Sequence, residues 1–318
     1  MEEEVLDTLR ARRGSFVSGE ELSRLAGVTR AAIWKEVQKL REQGYRILAQ
    51  PHAGYQLLSI PDRMIPQELT WNLRTRRIAR RVYAYESTGS TMDVAHRLAS
   101  AGEPEGTVVV AEAQAQGRGR LGRRWLSPKG KGIYLSVILR PPLPLSSVAH
   151  VTLMAAVAAA RAIQSSAASH PQIKWPNDIL LGGRKVGGIL TELHAELNRI
   201  HFVTVGIGLN VRAFAHLPAY ASSLDQETGG RVNRLGLARA LLLELDRAYD
   251  TLLTQGIAPI LEAWRGFAEF LGRRIRVALQ NRVVDGQAMD VDSNGALLVR
   301  TDTGIVEPVS AGDVLIVR

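Results

Sequence analysis

A glycine-rich, cationic segment in the middle of the chain restricts what its surroundings can form. Residues 114–132 read QAQGRGRLGRRWLSPKGKG and contain six Lys or Arg residues but no acidic residue. Gly117, Gly119 and Gly122 match the G-x-G-x-x-G pattern of dinucleotide-binding Rossmann folds. A Rossmann loop opens directly into an apolar helix, whereas the Ser, Pro and Gly residues after Trp125 cannot propagate one. We therefore predict a flexible loop between two strands that folds over a phosphate-containing ligand and pairs with it through charged hydrogen bonds.

A second cluster, residues 174–190, reads KWPNDILLGGRKVGGIL. Asn177 and Asp178 are predicted to project polar groups from the end of a strand. A hairpin turn at the first Gly-Gly pair then returns the chain and brings Lys185 close to those two side chains. An isolated Lys–Asp spacing of this kind is more often a hairpin with solvated charges. Two cationic glycine clusters in one domain instead favour a binding site for an anion.

The first 60 residues have the pattern of a winged helix-turn-helix. Ser18, followed by Glu three residues later, predicts the capping box of a helix that stops at Gly27. Thr29 is predicted to cap a second helix, whose apolar positions recur at helical spacing. Residues 45–58 predict two strands, which form a β-wing beside the helix pair.

The second of these helices carries the side chains proposed to bind DNA. It presents cations and an amide, which suit phosphates and base edges. Residues 1–60 hold nine Lys or Arg and eight Asp or Glu, so affinity depends on where the charges lie and on dimerisation. A small helical module that binds protein is the alternative. The residues predicted to point outward are Arg30, Trp34, Lys35, Gln38 and Arg41, and the proposed DNA-binding set is Thr29, Arg30, Trp34, Lys35, Gln38 and Lys39.

After a proline-containing linker at residues 59–66, the pattern changes twice. Residues 67–270 alternate apolar β-rich runs with helical stretches, as a mixed α/β domain does. From residue 271 onward, short β-rich runs separated by glycine-containing turns predict a small β-barrel. The strongest strand predictions are residues 107–111, 133–139, 173–175, 188–193 and 202–207, and the strongest helix predictions are residues 91–101, 147–165 and 234–254. The predicted fold class is therefore α+β, with several domains.

Composition excludes several classes of mechanism and location. With no cysteine in 318 residues, disulfides and thiolate chemistry are excluded. The seven histidines are scattered, and no pair has the spacing of a metal-binding helix, so no protein-held metal site is expected. The amino terminus lacks a signal-peptide pattern, and the most apolar run, residues 148–160, is shorter than the roughly 20 residues of a membrane span and predicts a buried helix. We expect a cytoplasmic protein without membrane association, whose net charge of +9 favours an anionic partner.

Three short motifs carry a specific resemblance. GRGRLGRRW, KWPNDI and RKVGGIL resemble the linked motifs of the biotin-protein ligases. The helix-turn-helix ahead of them resembles that of the bifunctional type, which also represses biotin genes. The match runs in order along essentially the whole chain. It implies a winged helix-turn-helix DNA-binding domain at residues 1–60, a ligase catalytic domain at residues 67–270 and an SH3-like β-barrel domain at residues 271–318.

The resemblance also implies roles for individual positions. Ser90 and Thr91 match a Ser-Thr-Asn element that binds the biotin ureido ring, with Met92 where Asn is usual. Leu121 stands where another arginine is often found. Ser90 and Thr91 also suit a helix N-cap, and Trp125 also suits ordinary core packing. Gln114 matches a biotin-binding glutamine, and Arg118, Gly119 and Arg120 match the ligand-ordering loop. Trp125 matches an aromatic against adenine, Lys185 matches the lysine that reaches the biotin carboxylate and the α-phosphate, and Asn210 matches a residue near the adenylate. Gly117, Asn177 and Gly188 complete the predicted ligand-binding set.

The implied reaction has two steps. The biotin carboxylate attacks the α-phosphorus of ATP, which arrives with Mg²⁺, to give biotinyl-AMP, and the biotinyl group then passes to a lysine of a biotin carboxyl carrier protein. Arg118, Arg120 and Lys185 are predicted to stabilise the charge on phosphate, and Asp178 to orient or deprotonate the attacking amine. The resemblance also implies binding to a two-fold symmetric biotin operator as a homodimer when the adenylate is bound.

Three other functions fit parts of the sequence. A lipoate ligase shares a related fold. A transcription factor whose central domain only senses a small ligand explains the winged helix, but it does not need two cationic glycine loops. A nicotinamide-dependent oxidoreductase rests only on the G-x-G-x-x-G match.

Overall fold

The structure is a computed structural model that describes residues 2–196, 199–279 and 281–317. Over these ranges the chain divides into two compact units, Met1–Asp62 and Arg63–Arg318. The amino-terminal unit is mainly helical, and the larger unit is built on two β-sheets with helices packed against them. The mixed α+β class predicted from the sequence is confirmed.

The amino-terminal unit is a helix-turn-helix followed by a β-hairpin, as predicted. The Ser18 hydroxyl accepts a hydrogen bond from the backbone N–H of Glu21 at 3.0 Å and caps the second helix, and the Thr29 hydroxyl accepts one from Ala32 at 3.2 Å and caps the third. Between them Gly27 adopts the left-handed conformation, with φ 64°, which lets the chain turn sharply. The elements are α1 (Glu2–Ala11), α2 (Gly19–Ala26), α3 (Arg30–Glu42), β1 (Arg46–Gln50) and β2 (Gly54–Ser59).

Helix α3 buries one face and exposes the other. Ile33, Val37 and Leu40 are fully buried in the core of the unit, whereas Trp34 is 55% exposed. Arg41 departs from the prediction that it points outward. Its guanidinium donates hydrogen bonds of 3.0 and 2.7 Å to the carbonyl oxygen of Ile47, because the start of the wing lies beside the last turn of the helix. Arg41 therefore ties α3 to the wing.

The larger unit contains a mixed β-sheet and the helices that cover it. Its elements up to residue 265 are α4 (Pro66–Thr70), β3 (Val82–Tyr85), α5 (Thr91–Ser100), β4 (Val108–Ala111), β5 (Gly132–Leu139), α6 (Val148–Ala167), β6 (Gln172–Lys174), β7 (Asp178–Leu181), β8 (Arg184–Glu196), β9 (Arg199–Asn210), α7 (Leu224–Thr228), α8 (Arg234–Gln255) and α9 (Ala258–Arg265). Among the described residues the sheet has seven strands in the order β3-β4-β5-β9-β8-β7-β6. Strands β3 and β4 run parallel, and the other neighbours run antiparallel.

The five predicted strands and three predicted helices of this region are all present, with ends shifted by a few residues. Strand β3 and helices α4, α7 and α9 were not predicted, and β7 was implied only by the hairpin turn that follows it. Their shortness explains this, because four to eight residues carry too few repeats of an apolar pattern to stand out from a loop.

Helix α6 is a core helix, as its apolar run predicted. Within the described ranges one stretch, Leu145–Ala167, is long and apolar enough to cross a membrane by length and composition, but 67% of its most apolar window is buried inside the protein. The helix packs against α8, α9 and the sheet. Burial within the domain accounts for its apolar character.

The chain after α9 forms an antiparallel sheet, which confirms the all-β prediction for this region. Its elements are β10 (Arg274–Ala278), β11 (Val283–Val291), β12 (Leu297–Thr301), β13 (Val306–Val309) and β14 (Asp313–Ile316), in the order β13-β12-β11-β10-β14. The turn between β11 and β12 docks on the larger sheet's helices. The His150 Nε2 lies 2.7 Å from the Ser293 carbonyl oxygen, and the Trp175 Nε1 donates to the Gly295 carbonyl oxygen at 3.0 Å. The terminal sheet is thereby held next to the segment that leads to Asn177.

Candidate ligand pocket

A cavity of about 740 Å³ lies in the larger unit, and both glycine-rich segments line it. Arg118 and Lys185 therefore face one cavity from two segments of the chain. Of the predicted pocket residues, those that line the cavity are Ser90, Thr91, Gln114, Arg118, Gly119, Arg120, Trp125, Asn177, Asp178, Lys185, Gly188 and Asn210. Gly117 is in the predicted set but not among the residues that line this cavity.

One end of the cavity is a fixed network of small polar groups. The Gln114 Oε1 accepts hydrogen bonds from the backbone N–H of Thr91 at 2.8 Å and from its hydroxyl at 3.1 Å. The Gln114 Nε2 donates to the Ser127 hydroxyl at 2.9 Å, so the side-chain amide has a defined orientation. The Ser136 hydroxyl donates to the Thr91 oxygen at 2.8 Å. Ser90, which is 1% exposed, caps α5 by accepting from the backbone N–H of Met92. Ser90 is therefore the helix cap, and Ser90 and Thr91 both line the cavity.

Met92 is buried beside this network, with 3% of its surface exposed. A Cβ added to Gly206 would lie 2.7 Å from the Met92 Sδ, so the thioether occupies the space above that glycine. A thioether cannot donate a hydrogen bond and accepts only weakly, unlike the Asn expected there. At this position the wall of the pocket is apolar.

The cationic loop between β4 and β5 is folded into a compact turn. The backbone N–H of Trp125 donates to the Gly117 carbonyl oxygen at 2.8 Å, and the backbone N–H of Gly119 donates to the Arg123 carbonyl oxygen at 2.7 Å. A Cβ on Gly117 would lie 2.4 Å from the Trp125 carbonyl oxygen, so only glycine fits there. Gly117 thus shapes the loop. Leu121, at the tip, has φ 56° and is 66% exposed.

The loop arginines contact residues of several other elements. The Arg118 Nη1 lies 2.8 Å from the Asp93 Oδ1, and its Nη2 lies 3.0 Å from the Glu192 Oε2. The Arg120 Nη1 donates to the Asn177 Oδ1 at 2.9 Å. The Asp313 carboxylate, at the start of β14, pairs with Arg123 and lies 3.9 Å from Arg120. The loop is therefore attached to α5 and β8 through Arg118, and to Asn177 and β14 through Arg120 and Arg123.

Trp125 lies flat against a glycine floor. A Cβ on Gly208 would lie 2.5 Å from Cε2 and Nε1 of the indole, and one on Gly188 would lie 3.2 Å from its Cζ3. The Lys185 Nζ lies 5.5 Å from the ring centroid, within range of a cation–π contact. The Trp125 Nε1 is buried without a hydrogen-bond partner within the described part of the chain, so this ring has an unused donor inside the pocket region.

Lys185 and Asp178 form the charged floor of the cavity. The Lys185 Nζ lies 2.6 Å from the Asp178 Oδ1, and the Lys174 Nζ lies 3.5 Å from the Asp178 Oδ2. A register shift between β7 and β8 makes this contact possible. Asp178 pairs with Gly188 but Leu180 pairs with Lys185, so one extra residue is accommodated on β8. Without that bulge, Lys185 would lie opposite the residue after Leu180, and its side chain would project from the opposite face of the sheet.

Two buried asparagines support the pocket through the backbone. The Asn177 Nδ2 donates to the Ile189 carbonyl oxygen at 2.8 Å, which joins the turn before β7 to β8. The Asn210 Nδ2 donates to the Ser222 carbonyl oxygen at 3.1 Å. The Ser222 N–H in turn donates to the Lys185 carbonyl oxygen at 2.8 Å. The segment after β9 is thus held against the lysine.

The proposed DNA-binding residues lie in the amino-terminal unit. Trp34 and Lys35 are exposed on α3, and Gln38 is half-buried there. The Arg30 guanidinium lies 2.6 Å from the Glu20 carboxylate, and the Lys39 ammonium lies 3.7 Å from that of Glu36. Thr29 is the N-cap of α3. All members of this set except Gln38 are therefore exposed, and Arg30 and Lys39 are each paired with a carboxylate.

Sequence reasoning missed three acidic residues that pair with the loop arginines, namely Asp93, Glu192 and Asp313. Asp93 follows the Ser-Thr-Met run directly, and its position in the first turn of a predicted helix was a usable signal. Glu192 and Asp313 are separated from their arginine partners by 74 and 190 residues, and no local pattern points to those pairs. Within the described residues, no group of three or more His, Cys, Asp or Glu is arranged to hold a metal ion.

Three family models match successive parts of the chain. The biotin/lipoate A/B protein ligase family matches residues 84–210, an HTH domain matches residues 2–56, and the biotin protein ligase C-terminal domain matches residues 270–317. These matches follow the order of the helix-turn-helix, the mixed sheet and the terminal antiparallel sheet.

Individual proteins match over most of the chain. The bifunctional ligase/repressor BirA of Bacillus subtilis (strain 168) is 38% identical over 301 residues, which covers 93% of this chain and 93% of that protein. The bifunctional ligase/repressor BirA of Escherichia coli (strain K12) is 30% identical over 304 residues, covering 95% of this chain and 93% of that protein. Among solved structures, the biotin protein ligase from Aquifex aeolicus in complex with biotin and ATP has a TM-score of 0.64 at 24% identity and covers 75% of this chain and 99% of that chain. At that level of identity the structural likeness shows the fold.

Proposed function

This chain belongs to the biotin protein ligases of the bifunctional ligase/repressor type, and from that membership we propose that its pocket activates biotin with ATP and passes the biotinyl group to a carrier protein. The chain is a biotin ligase with an amino-terminal helix-turn-helix repressor domain. One observation supports the assignment of the site most directly. Two cationic, glycine-rich segments far apart in the sequence line a single cavity, and such a cavity suits a nucleotide with its phosphates.

We propose that biotin and ATP occupy different parts of this cavity. The polar network of Ser90, Thr91 and Gln114 suits the ureido ring, because it presents hydroxyl and amide groups in fixed orientations. The Trp125 ring suits the adenine base. Asn210 also lines the cavity, and its side chain is hydrogen-bonded to the segment that is held against Lys185. Gly188 leaves room for the ligand beside the Trp125 ring.

In the first step, a carboxylate oxygen of biotin bonds to the α-phosphorus of ATP. The bond from that phosphorus to the oxygen bridging the α- and β-phosphates breaks, and pyrophosphate leaves. Lys185 and Arg120 offset the negative charge that develops on the phosphate, and Arg118 acts within the loop that covers it. Mg²⁺ is proposed to arrive with ATP and to be held chiefly by the phosphate oxygens, which are its preferred ligands.

In the second step, the amine of a carrier lysine bonds to the acyl carbon of biotinyl-AMP. The bond between that carbon and the phosphate-bound oxygen breaks, AMP leaves, and the amine gives up a proton. Asp178 is the carboxylate at the floor of the cavity and is proposed to orient or deprotonate the amine. The Asn177 side chain, which contacts both the loop and β8, keeps this edge of the pocket in place.

For the repressor activity, we propose that two copies of the chain bind a two-fold symmetric biotin operator when biotinyl-AMP is bound. Helix α3 would enter the major groove, with the exposed side chains of Trp34 and Lys35 towards the DNA. We also propose a cytoplasmic location, where carrier, ATP and DNA are all present. The proposed domains are residues 1–60 for DNA binding, 67–270 for catalysis and 271–318 for the terminal barrel.

The test is the mass of a biotin carboxyl carrier domain after incubation with the protein, biotin, ATP and Mg²⁺. We expect the carrier to gain one biotinyl group on its lysine, and to gain nothing when lipoate replaces biotin. Modification with lipoate alone would identify a lipoate ligase. Absence of pyrophosphate release with either acid would leave a transcription factor that only senses its ligand.

A further inference from the structure

Arg118 lies between carboxylates that come from two different elements of the fold. One is Asp93, in the first turn of α5, at 2.8 Å, and the other is Glu192, on β8, at 3.0 Å. All three side chains are partly exposed, with 42%, 47% and 38% of Arg118, Asp93 and Glu192 accessible. Each pair alone is therefore weak, but a guanidinium shared by two carboxylates is restrained from two directions.

Restraint of this one side chain restrains the whole loop. Arg118 lies between Gly117 and Gly119, whose backbone groups are hydrogen-bonded to Trp125 and Arg123 at 2.8 and 2.7 Å. The turn is thus closed on itself by two backbone hydrogen bonds. Holding the Arg118 guanidinium against α5 and β8 holds the turn over the cavity.

The other side of the loop has its own attachment. Arg120 donates to Asn177 at 2.9 Å, and Arg123 pairs with Asp313 at the start of β14. The loop therefore spans the pocket between two attachments. If the one at Asp93 and Glu192 were lost, the loop would stay tethered at Asn177 and Asp313 and could swing open about that side.

We propose that Asp93 and Glu192 are positioning residues that keep the loop closed through Arg118 and so retain the acyl-adenylate until the carrier lysine attacks. This inference rests on the proposed function. A mixed anhydride between an acid and AMP is labile in water, so a closed cover preserves it. An arginine paired with two carboxylates brings little net positive charge to a phosphate. Arg118 accordingly serves closure, while Arg120 and Lys185 supply charge.

The experiment measures adenylate escape separately from adenylate formation. The full-length protein is given biotin, ATP and Mg²⁺ without carrier, and biotinyl-AMP in the filtrate is quantified by mass as a function of time. We expect Asp93→Asn and Glu192→Gln each to raise the release rate about threefold, and the double variant to raise it about tenfold. The rate of pyrophosphate release in the first turnover should change far less. Glu196→Gln, which removes a carboxylate from the same strand β8, is the matched control and should leave release unchanged.

Two further readouts separate closure from a general loss of structure. Release from the wild-type protein should rise with salt, because partly exposed ion pairs are screened, and the double variant should lose most of that dependence. In a protein that already carries Arg118→Gln, adding Glu192→Gln should not raise the release rate of biotinyl-AMP further, since the carboxylate acts through that arginine. Asp93 also lies in the first turn of α5, where an acidic residue stabilises the helix, so Glu192→Gln is the variant free of that effect.

The outcomes are distinct. Unchanged release in the double variant, or a full effect of Glu192→Gln in the Arg118→Gln background, would overturn the inference even though the wild-type protein makes biotinyl-AMP. A wild-type protein that makes no biotinyl-AMP would instead refute the proposed function itself.

Discussion

The ammonium of Lys185 and the carboxylate of Asp178 are 2.6 Å apart, on adjacent strands that join at a hairpin turn. Lys174 approaches the second oxygen of the same carboxylate at 3.5 Å. The carboxylate therefore orients the lysine, and both groups line the cavity. In the proposed mechanism these two groups serve successive steps, which makes them separable by experiment.

Lys185→Ala should lower the rate of biotinyl-AMP formation by about 100-fold or more, because it removes a cation that faces the developing charge on phosphate. Pyrophosphate release in a single turnover measures this rate. Arg184→Ala is the control, since Arg184 is the preceding cation on β8 and its guanidinium pairs with Glu227 outside the residues that line the cavity. A wild-type rate in Lys185→Ala would remove the lysine from the proposed site.

Asp178→Asn should affect transfer more than adenylate formation. The amide keeps the shape of the side chain but cannot accept a proton, and loss of a general base lowers a rate by about 100-fold or more. The assay supplies chemically prepared biotinyl-AMP and follows biotinylation of the carrier domain, with pyrophosphate release measured in parallel. Transfer at the wild-type rate from the supplied adenylate would show that Asp178 is not the base.

Gly208→Ala should weaken ATP binding by about tenfold, because the new methyl group would lie 2.5 Å from the Trp125 indole and push the ring off its floor. Calorimetric titration with ATP measures the affinity. Gly230→Ala is the control, because a Cβ there meets no atom within 4 Å and its φ is in the ordinary range. If the two variants bound ATP equally well, the proposed contact of Trp125 with adenine would fail.

Lys35→Ala should weaken binding to double-stranded DNA and reduce the slope of log affinity against log salt by about 1 for each protomer bound. Lys35 is exposed on α3, so the change removes a cation without disturbing the core. A mixed-sequence duplex at several salt concentrations is sufficient for this measurement. Arg13→Ala, an exposed cation outside α2 and α3, is the comparison, and an identical loss in both variants would argue against α3 as the DNA-binding helix.

Glu112→Ala should destabilise the protein by about 3–5 kcal/mol, because it leaves Arg234 without its buried carboxylate. Arg234 is 1% exposed, its Nη1 lies 2.8 Å from the Glu112 Oε2, and the Met64 N–H donates to the Glu112 Oε1 at 2.6 Å. Urea unfolding of the full chain measures the loss. Adding Arg234→Ala to Glu112→Ala should recover part of the lost stability, since the pair acts as a unit. A loss of stability below about 1 kcal/mol in the single variant would contradict the prediction.

Much of the molecule was predictable because its signals are local. Ser18 and Thr29 cap their helices as the spacing predicted, since capping depends on residues three positions apart. The loop at residues 114–132 was identified by glycine and proline content, and the pocket by its two cationic motifs. Short elements such as β3 and α9 were missed, because a few residues contain too little periodic pattern.

By itself, the sequence determined the order of the domains, the position of the cationic loops and the chemical types at the pocket. Only the tertiary structure decided which charges meet. The bulge in β8 places Lys185 on the face of Asp178, and a shift of one residue would have separated them. Glu192 and Asp313, the distant partners of Arg118 and Arg123, were likewise invisible, because no local pattern distinguishes them from other carboxylates far along the chain.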